Sequence, residues 1–121
     1  MQHALIISDD SALSTAMEDR LLALGFRSFE RSWSEEDAVG AARQRRPDLI
    51  VVGDCLATGS AIQAAARINE EQPGIPALLA TARIAAVLRE LPDGVKLNGP
   101  YPPEAAAVAV NRSRIRAVVA A

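Results

Sequence analysis

The sequence predicts one α/β domain over residues 1–121, in which helices cover both faces of a parallel five-stranded sheet. Short, continuously apolar runs such as Leu49–Val52 alternate with longer stretches in which apolar residues recur at helical spacing. Continuously apolar strands are typical of parallel sheets that are buried on both faces. A chain of 121 residues is also long enough to form a self-sufficient core.

The first half of the chain contains two strand–helix units and a third strand. Buried strands are predicted at residues 4–8 and 49–52, and a half-polar strand at 27–31 is expected at a sheet edge. Asp10 is in position to cap the first helix, and Ser34 to cap a second helix with several early acids. Those acids suit the positive end of the helix dipole.

The second half continues the alternation of helices and strands. It predicts a helix at 60–71, a strand at 77–81, a short helix at 84–91, a weak strand at 95–97 and a final helix at 102–120. Right-handed crossovers between five such units favour a flavodoxin-like (βα)5 three-layer sandwich. The common strand order for this fold is 2-1-3-4-5.

Composition narrows the function classes. The net charge of −2 gives no reason to expect nucleic acid as the main partner. Cys55 is the single cysteine, which excludes an internal disulfide and suits a reducing cytoplasm. No apolar run approaches the ~18 residues of a membrane span, and the first residues do not read as a signal peptide. We therefore expect a cytoplasmic protein without a membrane segment.

Ligand sites in open parallel sheets lie at the carboxyl ends of the strands. The residues at the ends of the first, third, fourth and fifth predicted strands are therefore the site candidates: Asp9 and Asp10, Gly53 and Asp54, Thr81 and Ala82, and Asn98, Gly99 and Pro100. In their order and spacing these residues resemble the receiver domain of two-component response regulators, and the resemblance covers the whole chain.

The resemblance implies roles for several of these residues. Asp9 and Asp10 match the acidic pair that helps to bind Mg²⁺ in that family, and Thr81 matches the switch threonine or serine. Tyr101 matches the aromatic residue of a Lys-Pro-aromatic triplet, while the lysine position falls on Gly99. Counted from Pro47-Asp48-Leu49, the phosphate-accepting aspartate position falls on Gly53.

The absence of an aspartate at position 53 and of a lysine at position 99 bears directly on phosphoryl transfer. Phosphoryl transfer to an aspartate needs a carboxylate nucleophile and a cation on the phosphoryl oxygens. Gly53 lacks the first and Gly99 lacks the second. We therefore expect an atypical receiver-like signalling module that is not an enzyme, needs no cofactor and acts through protein–protein contacts without phosphorylation.

Alternatives remain open. A bulge at Gly53 would re-aim Asp54 as a substitute acceptor, with Mg²⁺ held by Asp9 and Asp10. In the plainer alternative, Asp10 caps the first helix and no metal binds. Arg83 is a candidate cation that offsets the repulsion between these acids. A third interpretation is a flavodoxin-like domain that binds a small ligand at the same strand ends.

The resemblance also implies a protein partner, either from a histidine-kinase pathway or an output protein. The usual contact surface of receivers is formed by the fourth helix, the fifth strand and the fifth helix, and a homodimer through this face is an alternative. Its candidate residues are Lys96, Tyr101, Arg112 and Arg116. Lys96 also falls where the family has an aromatic that rotates on activation, and it is a candidate substitute for the missing lysine.

Three further residues carry expectations. His3 is expected to begin the first strand in solvent. Trp33 is expected to pack as a staple against the second helix, with an exposed partner site as the alternative. The resemblance implies a cis peptide bond before Pro100.

Overall fold

A computed structural model describes residues 2–53, 59–81, 95–96, 98–111 and 119–120. Its central sheet is parallel and five-stranded, as predicted. The strands are β1 (His3–Ile7), β2 (Ser28–Ser32), β3 (Leu49–Val52), β4 (Ala77–Ala80) and, after a short strand β5 (Val95–Lys96), β6 (Asn98–Tyr101). They lie in the order β2-β1-β3-β4-β6, which confirms the predicted 2-1-3-4-5 order of successive sheet strands.

Burial along the strands follows their place in the sheet. Every residue of β1, β3 and β4 is buried, whereas β2 at the edge is mostly half-buried. Apolar side chains with β-branches fit such a doubly covered surface well. The prediction of three buried strands and one edge strand in this part of the chain is therefore confirmed.

The last strand of the sheet lies three residues later than predicted. The apolar signal at 95–97 placed it too early, because Val95–Lys96 instead pairs antiparallel with β7 (Val119–Ala120). Asn98 Nδ2 donates to the Ala77 carbonyl oxygen at 2.8 Å, and Thr81 N donates to the Tyr101 carbonyl oxygen at 2.9 Å. These bonds hold the Asn98–Tyr101 segment against β4 although it contains Gly and Pro. The Gly99-Pro100 peptide bond is cis, as the resemblance implied.

Four helices are described: α1 (Ser11–Ala23), α2 (Glu35–Gln44), α3 (Ala61–Glu71) and α4 (Pro103–Asn111). Asp10 Oδ1 accepts a hydrogen bond from Leu13 N at 3.1 Å, and Ser34 Oγ accepts one from Asp37 N at 3.1 Å. Both predicted caps are therefore confirmed. Ser60 caps α3 in the same way, by accepting from Gln63 N.

The predictions for the last two helices differ in what the structure can say of them. The short helix predicted at 84–91 lies outside the described residues. The final helix was predicted to continue to Ala120, but its described part ends at Asn111, and Val119–Ala120 forms β7. Pairing with β5 takes these last residues out of a helix.

The core has two parts, one on each face of the sheet. Leu5 and Ile7 of β1 lie in a cluster with residues of α2 and α3, whereas Ala4 and Ile6 lie in a cluster with residues of α1 and α4. This separation follows from the alternation of side chains along a strand. The three-layer sandwich is therefore confirmed. None of the described helices is long and apolar enough to cross a membrane.

His3 is buried, with 4% of its surface exposed, so the expectation of a solvent-facing position was wrong. Its main-chain N–H donates to Asp48 Oδ2 at 2.8 Å, and Asp48 N donates back to the His3 carbonyl oxygen at 2.7 Å. His3 Nδ1 lies 2.8 Å from Ser28 Oγ. The cause is topological, because β1 lies between β2 and β3 and the two neighbours enclose its first residue.

We predict that folding stability falls as the pH is lowered below the ordinary His pKa of 6.5. Burial, followed by the nearby Arg45 charge, lowers the pKa of His3 from that value, so the neutral ring is favoured in the folded state. The unfolded chain then binds more protons in this window, and its free energy drops relative to the folded state. Urea unfolding between about pH 7.5 and about pH 5.5 measures the effect.

A His3→Asn variant is the control, because its side-chain amide can still hydrogen-bond with Ser28 Oγ but does not titrate in this range. The variant should show a flatter dependence of stability on pH than the parent chain. Equal slopes would contradict the assignment to His3.

Candidate functional site at the carboxyl ends of the strands

The sheet brings the predicted site residues to one edge. Ile7 is in register with Val52, and Val52 with Leu79, so the residues that follow β1, β3 and β4 are neighbours. These residues are Ser8, Gly53 and Thr81. Gly53 N donates to the Ile7 carbonyl oxygen at 2.8 Å, which joins the ends of β1 and β3 directly.

Asp9 and Asp10 are both exposed at this edge. Asp10 serves the helix, because its carboxylate caps α1 and its N–H donates to Ser8 Oγ at 3.1 Å. The plainer interpretation of Asp10 therefore has direct geometric support. Asp9 follows the buried Ser8 and has no described hydrogen bond or ion pair.

A Mg²⁺ ion in this fold family would be held by oxygen ligands at this edge. Mg²⁺ is usually bound by one or two carboxylates together with waters and phosphate oxygens. Asp9 and Asp10 supply carboxylates, but one Asp10 oxygen is engaged with α1 and Gly53 supplies no side-chain oxygen. Within the described ranges no group of three or more His, Cys, Asp or Glu side chains is placed to hold a metal. The described donor set therefore falls short of the site that the family implies.

Ser8 closes the space beside Gly53, the position that the resemblance assigns to the phosphate acceptor. A Cβ atom at Gly53 would lie 2.5 Å from Ser8 Cβ, 2.5 Å from Ser8 Oγ and 3.2 Å from the Ile7 carbonyl oxygen. Such distances leave no room for a side chain, since packed interiors have almost no slack. The sequence predicts that Gly53 occupies the acceptor position, but it gives no sign of the neighbour that fills the space.

Backbone atoms close the space beside Gly99, where the resemblance places the lysine. Gly99 has a φ angle of +114°, in a region that glycine adopts without steric cost. A Cβ there would lie 2.6 Å from the Leu79 carbonyl oxygen and 3.1 Å from Tyr101 N. The register between β4 and β6 is irregular at this point. A lysine at 99 is therefore incompatible with this backbone.

Thr81 and Tyr101 lie together at the ends of β4 and β6. Thr81 is fully buried, and its N–H bonds to the Tyr101 carbonyl oxygen. The half-buried Tyr101 packs against the core cluster beneath α1 and α4. Lys96 lies in β5, outside the central sheet, so it is not on the strand that carries Gly99 and Tyr101.

Several predicted residues lie outside the described part of the chain. These are Asp54, Cys55, Arg83, Arg112 and Arg116. The substitute acceptor, the compensating cation and the basic part of the partner face therefore remain predictions.

Trp33 does not act as a staple, because 61% of its surface is exposed. Ala38, the α2 residue that a staple would contact, is instead buried in the core. Beside Trp33 lies a groove of about 430 Å³ lined by Ser34, Glu35, Glu36 and Gly59. The alternative of an exposed tryptophan at a partner surface is therefore compatible with the structure.

Glu35 has a second role that was not predicted from the sequence. One carboxylate oxygen accepts from Ser60 N at 3.1 Å, and the other lies 2.9 Å from Arg67 Nη1. Gly59, with a φ angle of +82°, allows the chain to pass close to this side chain. The acidic run after Ser34 suggested helix-dipole stabilisation, and nothing in its spacing indicated a contact with α3.

Two curated relatives share part of the sequence. The probable transcriptional regulatory protein TcrX of Mycobacterium tuberculosis is 30% identical over 81 residues, which are 67% of this chain and 34% of the relative. The transcriptional regulatory protein AfsQ1 of Streptomyces coelicolor is 36% identical over 83 residues, which are 69% of this chain and 36% of the relative. The matched part thus spans about a third of each relative. No family model matches the sequence.

Solved structures share the fold. The receiver domain of the PhyR response regulator from Erythrobacter litoralis has a TM-score of 0.73 at 21% identity, covering 93% of this chain and 89% of that one. A CheY-like response regulator receiver protein from Methanospirillum hungatei has a TM-score of 0.69 at 14% identity, covering 93% of both chains. The non-phosphorylated HemR receiver domain from Leptospira biflexa has a TM-score of 0.67 at 22% identity, again covering 93% of both.

We predict that Gly53→Ala destabilises the fold by about 1–3 kcal/mol, because the added methyl group overlaps Ser8. Gly40→Ala is the matched control, since a Cβ at Gly40 meets no atom within 4 Å. In a helix interior that change should stabilise by up to about 1 kcal/mol. Combining Gly53→Ala with Ser8→Gly should recover part of the loss. Urea unfolding of the parent chain, Gly53→Ala, Ser8→Gly and the double variant gives the coupling energy. An unchanged stability of Gly53→Ala would show that the site has room.

We also predict that Asp10→Ala lowers stability by about 1 kcal/mol, equally with and without Mg²⁺, because a helix cap is lost. Asp9→Asn should have little effect in either condition, since Asp9 makes no described hydrogen bond. Thermal unfolding at matched ionic strength provides the measurement. A Mg²⁺-dependent rise in melting temperature that Asp9→Asn abolishes would instead demonstrate a metal site.

Proposed function

We propose that this chain, a receiver domain of two-component response regulators, signals without phosphorylation at the usual acceptor position and acts through protein–protein contacts. The observation that carries the proposal is the packing around two glycines. Gly53 stands where the acceptor carboxylate belongs and is closed by Ser8, and Gly99 stands where the lysine belongs and is closed by the Leu79 carbonyl oxygen.

The chemistry supports this reading of the site. Transfer of a phosphoryl group depends on positioning an attacking oxygen and neutralising the charge that develops on the phosphoryl oxygens. The described edge retains the carboxylates of Asp9 and Asp10 but neither the nucleophile nor the ammonium group. Two carboxylates without a cation repel a phosphate rather than bind it. We therefore infer no catalytic role for the chain and no required cofactor.

The buried residues of the edge then have a structural role. Ser8 Oγ accepts from Asp10 N and so links the end of β1 to the start of α1. Thr81 links the ends of β4 and β6 through its backbone bond to Tyr101. A partner that changes these links would alter the surface of the domain without any covalent modification, by favouring one of two packed states.

The proposed partner is a protein of a histidine-kinase pathway or an output protein. Both curated relatives are named as transcriptional regulatory proteins, and this chain matches about a third of each. We propose that the domain passes a signal to a regulator of that kind and that it does so in the cytoplasm. A homodimer through the face that contains Tyr101 is the alternative mode of contact.

We predict no phosphorylation when the protein is incubated with acetyl phosphate and Mg²⁺, because the described site lacks both the nucleophile and the cation. Intact-mass spectrometry would reveal one added phosphoryl group as a gain of about 80 Da. A phosphorylatable receiver domain in the same reaction confirms that the donor is active. A labile adduct that disappears in Asp54→Asn would contradict the proposal and establish Asp54 as a substitute acceptor.

A further inference from the structure

The outer strand β2 and helix α2 enclose a second groove, of about 350 Å³, which we call the β2–α2 groove. Its walls include Glu30, Arg31 and Ser32 on β2 and Glu36, Asp37 and Gly40 on α2. We propose that this groove binds an extended protein segment with Lys or Arg at alternate positions, which adds to the sheet as a further strand beside β2. This surface is distinct from the carboxyl edge where Gly53 and Thr81 lie.

The free edge of β2 offers the hydrogen bonds for such a strand. Ser8 N donates to the Ser32 carbonyl oxygen at 3.1 Å, so the backbone of Ser32 faces β1. Because backbone groups alternate along a strand, the N–H and C=O groups of Phe29 and Arg31 face away from the sheet. In the described part of the chain no strand pairs with β2 on that side. An unpaired edge of this kind is a template for another strand.

Small residues keep the groove open. Gly40 lies inside α2, where glycine costs about 0.5–1 kcal/mol relative to alanine. A Cβ at this position would meet nothing within 4 Å, so no described contact requires glycine here. The neighbouring wall residue is Ala41, which adds a single methyl group. The space beside the free edge is therefore wide enough for side chains of an added strand.

The acidic side chains of the groove favour a basic partner segment. Glu30 and Asp37 form no ion pair with any described residue, and Glu36 keeps 77% of its side chain exposed although it pairs with Arg67. Arg31 does not neutralise them, because its guanidinium is bound by Glu18 and Thr15 of α1 on the opposite face of the sheet. The groove is thus acidic, and basic side chains complement it.

Trp33 is the next residue after this surface in the chain, although it does not line the groove itself. It follows β2 directly and is 61% exposed, at the carboxyl end of the free edge. The face of an indole ring attracts the guanidinium or ammonium group of a partner. Since side chains of a strand alternate, only every second residue of an added strand would face α2. This is why the partner segment should carry its basic residues at alternate positions.

The inference rests on the proposed protein–protein role for its biological use, but its test needs no phosphate donor. Acetyl phosphate reports on the carboxyl edge, whereas peptide binding reports on the β2 edge. A negative result in one experiment therefore does not change the interpretation of the other.

Trp33 is the only tryptophan in the sequence, so its fluorescence reports binding without a label. The probe is a capped synthetic peptide in which arginine and valine alternate. We expect a saturable change in Trp33 emission that weakens as salt is raised. A peptide with the same composition but with its arginines in one block should bind about tenfold more weakly.

Two controls separate strand addition from general charge attraction. Glu30→Gln with Asp37→Asn should weaken binding about tenfold, whereas Glu70→Gln with Glu104→Gln, which removes two exposed acids elsewhere, should change it less than about twofold. Backbone N-methylation at alternate residues of the peptide removes ladder donors but keeps every charge. This peptide should lose binding to the unmodified protein.

Three results would overturn the proposal. Equal affinity of the N-methylated peptide would exclude strand addition. Equal weakening by the two pairs of substitutions would show that peptide binding depends only on the net charge of the protein. A dimer of the chain in sedimentation experiments that Glu30→Gln dissociates would make a second copy, rather than a basic partner, the occupant of this edge.

Discussion

The close approach of Ser8 to Gly53 is the constraint on which the interpretation of the site depends. β1 and β3 are adjacent and in register, and the bond from Gly53 N to the Ile7 carbonyl oxygen draws their ends together. At this separation the Ser8 side chain takes the volume that a side chain at position 53 would need. Ser8 Oγ also accepts from Asp10 N, so the same residue that closes the acceptor position helps to fix the start of α1.

Gly99, at the end of a neighbouring part of the same sheet edge, also has no space for a side chain. Gly99 is required by its left-handed backbone and by the Leu79 carbonyl oxygen beside it, not by a side chain. A side chain is therefore excluded at the two positions for different physical reasons. At position 53 the reason is steric contact with the Ser8 side chain, and at position 99 it is the backbone geometry. Restoring a carboxylate or an ammonium group by a single substitution would disturb the strand ends before it restored any chemistry.

Much of the fold could be predicted from the sequence, because its signals are local. The apolar runs of β1, β3 and β4, and the caps Asp10 and Ser34, needed no knowledge of their neighbours. The strand at Asn98–Tyr101 was misplaced because Gly and Pro weaken a strand signal, while the bond from the Asn98 side chain to Ala77 that supports it is long-range. Tertiary packing also determines the burial of His3, the exposure of Trp33 and the contact of Ser8 with Gly53, so the local sequence does not show them.

Comparison of three glycines shows where this domain keeps room for a partner. Gly53 and Gly99 have no space for a side chain, and both lie at the carboxyl edge where a phosphorylated receiver would hold its phosphate. Gly40 has open space around its Cα and lies beside the unpaired edge of β2, among acids that form few ion pairs. The edge that the family uses for chemistry is thus tightly packed, whereas the edge formed by β2 keeps free backbone groups, charge and volume. Among the described surfaces, the β2 edge thus offers the unpaired backbone and the acidic groove that the proposed contact with a partner segment requires.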